Sequence, residues 1–168
     1  MAEKYSIAQL DFRPVPSAQR QGARIKSVPA RLYIDKFLEH RQAYEFIQEM
    51  QDLHGEGTKT VVRSLLHYRD SVIRPLEEKQ AAGEETTQPE LLIAQLDFRP
   101  VPQGQRKGSR IKHVAVRLYI DKYIEHRQAY TFVQEMQDIH GEGNKTIVRA
   151  LIHYRDTIIA PMRAAEES

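Results

Sequence analysis

The sequence predicts a mainly helical protein with a small antiparallel β-ribbon, built from two copies of one repeat. Residues 7–76 align with residues 93–162 without a gap, and 50 of the 70 aligned positions are identical. Each copy contains one short run that alternates apolar and polar residues, followed by two stretches with apolar residues at helical spacing. A strand with one apolar face needs a partner for its backbone groups. We expect the other repeat to supply that strand.

The duplication also predicts the domain organisation. Residues 1–76 form the first half with an N-terminal arm, residues 77–92 a linker, and residues 93–168 the second half. The linker begins EEKQAAGEETTQPE, which lacks aromatic and apolar β-branched residues and is typical of a solvated tether. We interpret the two halves as one intertwined pseudo-dimer, with two independent domains as the alternative.

Each repeat opens with extended and irregular chain. The arm IAQLDFRPVP is stopped by Pro14 and Pro16, which disfavour helix in the residues before them. The basic segment SAQRQGARIK follows, and we expect a flexible loop or a second arm there. From Val28 the residues alternate between an apolar and a polar face as far as about Ile34, as in a half-buried strand.

Two helices follow the strand. In the first, Ala43, Phe46, Ile47, Met50 and Leu53 recur at amphipathic spacing, and Gly55 is the expected stop. The second is expected to begin near Thr58, or Asn144 in the other copy, because both residue types favour helix N-caps. We expect this helix to end before the proline at position 75 or 161.

Composition narrows the classes of function. A formal net charge of +2 on 168 residues means that any basic footprint must be local. The absence of cysteine excludes disulfides, thiolate zinc sites and cysteine nucleophiles. With no signal-peptide or membrane-span pattern, we expect a cytoplasmic protein. No catalytic motif occurs and no histidine pair has metal-ligand spacing, so we expect no enzyme activity, metal or cofactor.

The order of strand and two helices, with the second helix opening at GEGTKTVVRSLLHYRDSVI, resembles the ribbon-helix-helix family of the Arc and Met repressors. The stretch RLYID and the tight turn resemble ParR-like plasmid partition proteins most. Members of this family pair two strands into an antiparallel ribbon that enters the DNA major groove. The resemblance implies sequence-specific binding of double-stranded DNA, for transcription regulation as a repressor or for plasmid partition.

The resemblance also assigns roles to residues of this chain. Bases would be read by the outward strand positions, which are Ser27, Pro29, Arg31, Tyr33, His113, Ala115, Arg117 and Tyr119. Phosphates would be held by the start of the second helix, at Gly57, Thr58, Lys59, Gly143, Asn144 and Lys145. The acid-free basic segments would add the backbone contacts of Arg20, Arg24, Lys26, Arg106, Lys107, Arg110 and Lys112. Pro29 requires a strand end or a non-pairing position, because it has no N–H.

The two copies differ on the reading face, where Ser27 corresponds to His113 and Pro29 to Ala115. We therefore expect the DNA site to be an imperfect inverted repeat, with Ser27 and Pro29 over one half-site and His113 and Ala115 over the other. A partition role would add a motor or filament partner and self-association on repeated sites. The competing hypothesis is a helical protein–protein adaptor whose LDFRPVP arms dock on a partner. Each assigned segment also has an interpretation without DNA binding. The strand would be an ordinary exposed face, the basic segments solvated loops and the helix starts simple caps.

Overall fold

The computed structural model of the chain describes residues 12–20, 22, 26–81, 99–106, 108 and 111–167. In chain order the main elements are β1 (Lys26–Leu32), α1 (Leu38–His54), α2 (Gly57–Tyr68), α3 (Arg74–Ala81), β2 (Lys112–Leu118), α4 (Ile124–His140), α5 (Gly143–Tyr154) and α6 (Ala160–Glu167). The described part of the chain is mainly helical. The expected order of one strand and two helices per repeat is confirmed.

The two strands form one antiparallel sheet, so the expected pairing between the repeats is confirmed. Val28 pairs with Val116 and Ala30 with Val114 in a seven-residue register. The apolar face of β1 is buried, with Ala30 and Leu32 fully inaccessible. The alternation read from the sequence therefore corresponds to one core-facing side and one solvent-facing side of the ribbon.

The helices of both repeats enclose one apolar core. Helix α2 packs along α5, and α1 and α4 each contact the second helix of both repeats. Phe46 and Met50 of α1 and their counterparts Phe132 and Met136 of α4 are almost completely buried within this core. Burial of this kind stabilises each large side chain by about 1.5 to 3 kcal/mol.

Gly55 ends α1 as expected from the sequence. Its φ of 68° and ψ of 26° lie in the left-handed region that a side chain disfavours, and its N–H bonds the Gln51 carbonyl. Gly141 ends α4 with the same geometry. The turn is therefore encoded locally in both repeats.

The expected end of the second helix before Pro75 is wrong. The chain continues from α2 through a π-helical segment, Arg69–Ile73, directly into α3. The N–H of Arg74 bonds the carbonyl of Arg69, five residues back, so the ladder is already shifted where Pro75 lacks its own donor. Arg155–Ile159 accommodates Pro161 in the same way.

The first five residues of the predicted linker are helical. Residues 77–81 belong to α3. Arg74 anchors this helix, because it donates to Glu135 of α4 at 3.0 and 3.2 Å and to Glu77 at 2.8 Å. Arg163 of α6 pairs with Glu49 of α1 in the other direction. Residues 82–92 lie outside the described part of the chain.

The described arm residues cross to the opposite repeat. Val15 donates to the Lys122 carbonyl at 3.0 Å, and Arg13 binds Glu125 through its N–H at 2.8 Å and its Nε at 2.6 Å. In the second repeat, Arg99 makes the same pair of bonds to Glu39. The described arm residues are therefore part of the contact between the repeats.

Candidate nucleic-acid interface

The pairing register centres the ribbon on Pro29 and Ala115, which are equivalent positions of the two repeats and lie opposite each other. Ser27 lies opposite Arg117 at one end, and Arg31 lies opposite His113 at the other. The expectation that Pro29 faces one half-site and Ala115 the other does not agree with this register, because antiparallel pairing places both residues at the centre of the ribbon. The side chains of Pro29 and Ala115 lie outside the described part of the structure.

The hydrogen bonds of Arg31 show which way the strand edge faces. Its N–H donates to Asn144 Oδ1 at 3.0 Å, and its carbonyl accepts from Asn144 Nδ2 at 2.9 Å. Backbone direction alternates along a strand, so the nitrogen of Pro29, two residues earlier, also points away from β2. Pro29 therefore occupies the non-pairing position that its missing N–H requires.

The outward face of the ribbon is exposed and basic. Ser27, Arg31, His113 and Arg117 are all solvent-exposed on this face. The strand sequences KSVPARL and KHVAVRL contain two lysines, two arginines and no acid. Lys26 and Lys112 begin the two strands and are exposed as well. Lys26 and Lys112 have the strand parity of the core-facing residues, so the outward face itself carries Arg31, Arg117 and no carboxylate. These charges make it the locally basic surface that the overall charge did not indicate.

Tyr33 and Tyr119 lie beyond the strands. Both strands end at the preceding leucine, two residues earlier than the sequence suggested. The Tyr33 N–H donates to His40 Nδ1 at 3.1 Å, and its ring centroid lies 5.6 Å from that of His40. Both tyrosines are partly buried against a helix start rather than aligned in the ribbon.

Asp35 and Asp121, which follow the tyrosines, are turned away from the exposed face. Each is buried and accepts from the arginine six residues later, Arg41 or Arg127, at 2.8 Å. These pairs neutralise the two carboxylates inside the protein. The two carboxylates therefore do not lie on the exposed ribbon, where they would repel an anionic partner.

The start of α2 differs in detail from the phosphate clamp expected there. The helix begins at Gly57, where the N–H bonds Gln51 Oε1 at 3.0 Å and a Cβ would lie 3.0 Å from that same oxygen. Thr58 therefore lies inside the first turn, not at its cap. Gly143 begins α5 with a matching bond to Gln137.

A buried ion pair sits beneath this helix start. Glu56 accepts from Arg63 at 2.9 Å, and both side chains are nearly inaccessible. Lys59 Nζ lies 3.4 Å from the second oxygen of Glu56 and remains half-exposed. In the other repeat, Glu142 binds Arg149 and Lys145 in the same pattern. Each site keeps a net positive charge, although Glu56 and Glu142 reduce what their lysines offer to an anion.

The basic segments before the strands are described only in part. Arg20, Lys26, Arg106 and Lys112 are exposed, and Arg106 Nε donates to the Val101 carbonyl at 3.4 Å. Arg24, Lys107 and Arg110 lie outside the described residues. Arg41 donates to the Gln105 carbonyl at 3.1 Å, which places the second arm beside the Arg31 end of the ribbon.

His40 and His126 couple the ends of the strands to the helices. Each accepts a tyrosine N–H at Nδ1, and each is 2% exposed. Burial lowers the pKa of both to about 4, with further lowering from nearby lysines against the raising effect of Glu39 or Glu125. Both rings are therefore neutral acceptors near neutral pH.

Because of these two histidines, we expect the stability of the fold to fall between pH 6.5 and pH 4. The folded pKa of about 4 lies below the ordinary 6.5, so unfolded chains bind more protons between these values. Stability is then complete above pH 6.5 and falls as the pH drops, by up to about 3 kcal/mol per pH unit for two protons. Urea unfolding at pH 7, 6 and 5 should show this slope. His40→Gln with His126→Gln should flatten it, since glutamine can accept the same N–H; an unchanged slope contradicts this assignment.

The arms bring a second set of charged groups that the sequence did not identify. Burial raises the pKa of Glu39, but hydrogen bonds from the side chain and backbone of Arg99 outweigh it and lower that pKa. Glu125 behaves in the same way beside Arg13. The sequence does not show that each arm binds the opposite repeat, because the arm and its glutamate acceptor occur in both copies.

Comparisons of the chain with protein-family models, with curated proteins and with solved structures find no match. Among the described residues, no group of three or more histidine, aspartate or glutamate side chains could hold a metal ion. Within the same ranges, no helix is both long and apolar enough to cross a membrane. The candidate site rests on the exposed residues of the ribbon, which include Arg31 and Arg117 and no carboxylate.

Proposed function

We propose that this chain is a single-chain pseudo-dimeric ribbon-helix-helix protein that binds double-stranded DNA, with its ribbon in the major groove. The observation that carries the proposal is the ribbon itself. Strands from two repeats place Arg31 and Arg117, with no carboxylate, on one exposed face backed by a shared core, and Lys26 and Lys112 are exposed at the strand starts. A two-stranded ribbon fits the major groove, which is about 12 Å wide.

The helix starts support the same docking. The Asn144 side chain bonds the backbone of Arg31, so the first turn of α5 lies beside the ribbon edge. A ribbon within the groove would have a phosphate strand along each flank. Lys145, and Lys59 at the other flank, would meet those phosphates, together with the positive end of a helix dipole.

In this proposal the ribbon residues contact bases and the lysines of the helix starts contact phosphates. Arg31 and Arg117 would bond guanine edges, and Ser27 and His113 would add shorter-range contacts. The lysines of the helix starts would hold phosphates regardless of sequence. Such a protein would act as a repressor or in plasmid partition, on an imperfect inverted repeat. The described arm residues bind the opposite repeat, which favours DNA binding over an adaptor whose LDFRPVP arms dock on a partner.

A selection experiment tests the function. Wild-type protein is used to select ligands from a randomised duplex pool, and the selected duplex is then titrated at several salt concentrations. We expect one enriched motif and an affinity that falls steeply with salt, since neutralised phosphates release counterions. A pool that stays random, or a salt-independent affinity, contradicts DNA binding.

Removing the flanking lysines should weaken all DNA binding alike. Lys59→Ala with Lys145→Ala should reduce the salt slope by about 2, roughly 0.9 per lost phosphate contact. Affinity for selected and for random duplex should fall by the same factor. Lys79→Ala, on the exposed surface of α3, is the charge-matched control. A loss confined to the selected duplex would mean that these lysines read sequence.

A further inference from the structure

The two ends of the ribbon are not chemically equivalent. At one end, Arg31 lies opposite His113 and its backbone is bonded by Asn144. At the other end, Arg117 lies opposite Ser27, and the position equivalent to Asn144 is Thr58. The ends therefore share an arginine and differ in the residue opposite it and in the residue beside it.

Asn144 fixes the backbone of Arg31 as a neighbouring strand would. Its planar carboxamide accepts from the Arg31 N–H and donates to the Arg31 carbonyl, at 3.0 and 2.9 Å. The single hydroxyl of Thr58 cannot reproduce this planar donor–acceptor pair. Within the described residues, no side chain bonds the backbone of Arg117.

This bracing acts on the residue that the proposed function assigns to base reading. A contact held in place before binding loses less conformational entropy when it forms, so it discriminates more strongly between bases. His113 adds a ring with a donor and an acceptor opposite Arg31, whereas Ser27 presents only a short hydroxyl. Both differences strengthen the same end of the ribbon.

We infer that the protein binds a non-palindromic DNA site in one orientation, with the Arg31 end over the more strictly specified half-site. This rests on the proposed function. Asn144 is a positioning residue, which acts on DNA through the backbone of Arg31. Pro29 and Ala115 lie opposite each other at the centre of the ribbon and so belong to neither end.

Tethered cleavage reads the orientation directly. The chain has no cysteine, so Ser17→Cys or Gln103→Cys gives a unique attachment point for an iron chelate that cuts DNA. These exposed residues are equivalent in the repeats and lie in the arm turns at opposite ends of the ribbon. On the selected duplex, each conjugate should cut one end only, and the two should cut opposite ends. Equal cutting at both ends by each conjugate, with binding intact, overturns the inference alone.

Exchanging the determinants should reverse that pattern. The variant carrying Ser27→His, Thr58→Asn, His113→Ser and Asn144→Thr should bind with its cleavage pattern inverted. Asn144→Thr alone should lower base discrimination in the Arg31 half-site by about ten-fold, roughly one well-placed contact, and leave the other half-site unchanged. Equal losses in both half-sites would indicate a merely structural role and overturn the assignment. A wild-type protein that binds no duplex contradicts the proposed function, and the inference with it.

Discussion

Replacing both ribbon arginines should abolish sequence preference while leaving weak binding to DNA. Arg31→Ala with Arg117→Ala removes two exposed groups from the outward face. Each lost bidentate contact to guanine costs about 1 to 3 kcal/mol, so affinity for the selected duplex should fall by roughly 30-fold to 10⁴-fold. Affinity for random duplex should fall far less. Fluorescence anisotropy with both duplexes measures the two effects separately.

The conservative variant separates charge from geometry. Arg31→Lys with Arg117→Lys keeps both charges but removes the planar fork that bonds two base atoms at once. It should therefore bind random duplex like the wild type and lose preference for the selected site. Full specificity in the lysine variant would show that these positions supply charge alone.

Half of the chain should form a dimer and should not fold as a monomer. In residues 1–81, β1 would lack its partner strand, and the arm would lack the helix start that it binds in the opposite repeat. A second copy supplies the strand and the helix start, because Glu39 of that copy is equivalent to Glu125. Its Glu49 is equivalent to Glu135, which binds Arg74 of α3. We expect a homodimer whose Tm rises with concentration, as for any obligate dimer.

Sedimentation equilibrium at micromolar concentration checks this expectation. Ala30→Asp in the fragment places a charge at a fully buried ribbon position and should abolish both dimer and fold. A stable monomer of residues 1–81, with a Tm independent of concentration, would mean that the two repeats are separate domains.

Local patterns explain which parts of the fold could be predicted. The alternation from Val28 to Leu32 and the spacing of Phe46 and Met50 reflect burial of one face, which leaves a direct trace in the sequence. Gly55 is required by a left-handed turn. The duplication then identified the partner of an otherwise unpaired strand.

Other features could not be predicted, because they depend on tertiary contacts that produce no periodic pattern in the sequence. The crossing of the arms cannot be read from two identical copies, because Arg13 could bind Glu39 or Glu125 equally well by sequence. Pro75 was interpreted as a helix stop, since the π-helical turn before it depends on packing across residues 69–73. The pairing of Glu56 with Arg63 was missed because both have the appearance of surface charges.

The candidate site was predicted in outline and corrected in its register. Arg31, Arg117, Ser27 and His113 are on the outward face as expected, because strand period alone determines it. The opposition of Pro29 and Ala115 depends on how two strands align, which one strand does not specify. The bond from Asn144 to Arg31 joins positions 113 residues apart and has no sequence signal.

Methylation interference on the selected duplex tests the placement of the ribbon most directly. Guanine N7 lies in the major groove and adenine N3 in the minor groove, so methyl groups at these atoms block different grooves. A ribbon in the major groove predicts that N7 methylation of guanines near the centre of the site prevents binding, whereas N3 methylation of adenines there has no effect. Interference from adenine N3 alone, or from neither position, would contradict DNA recognition by this ribbon.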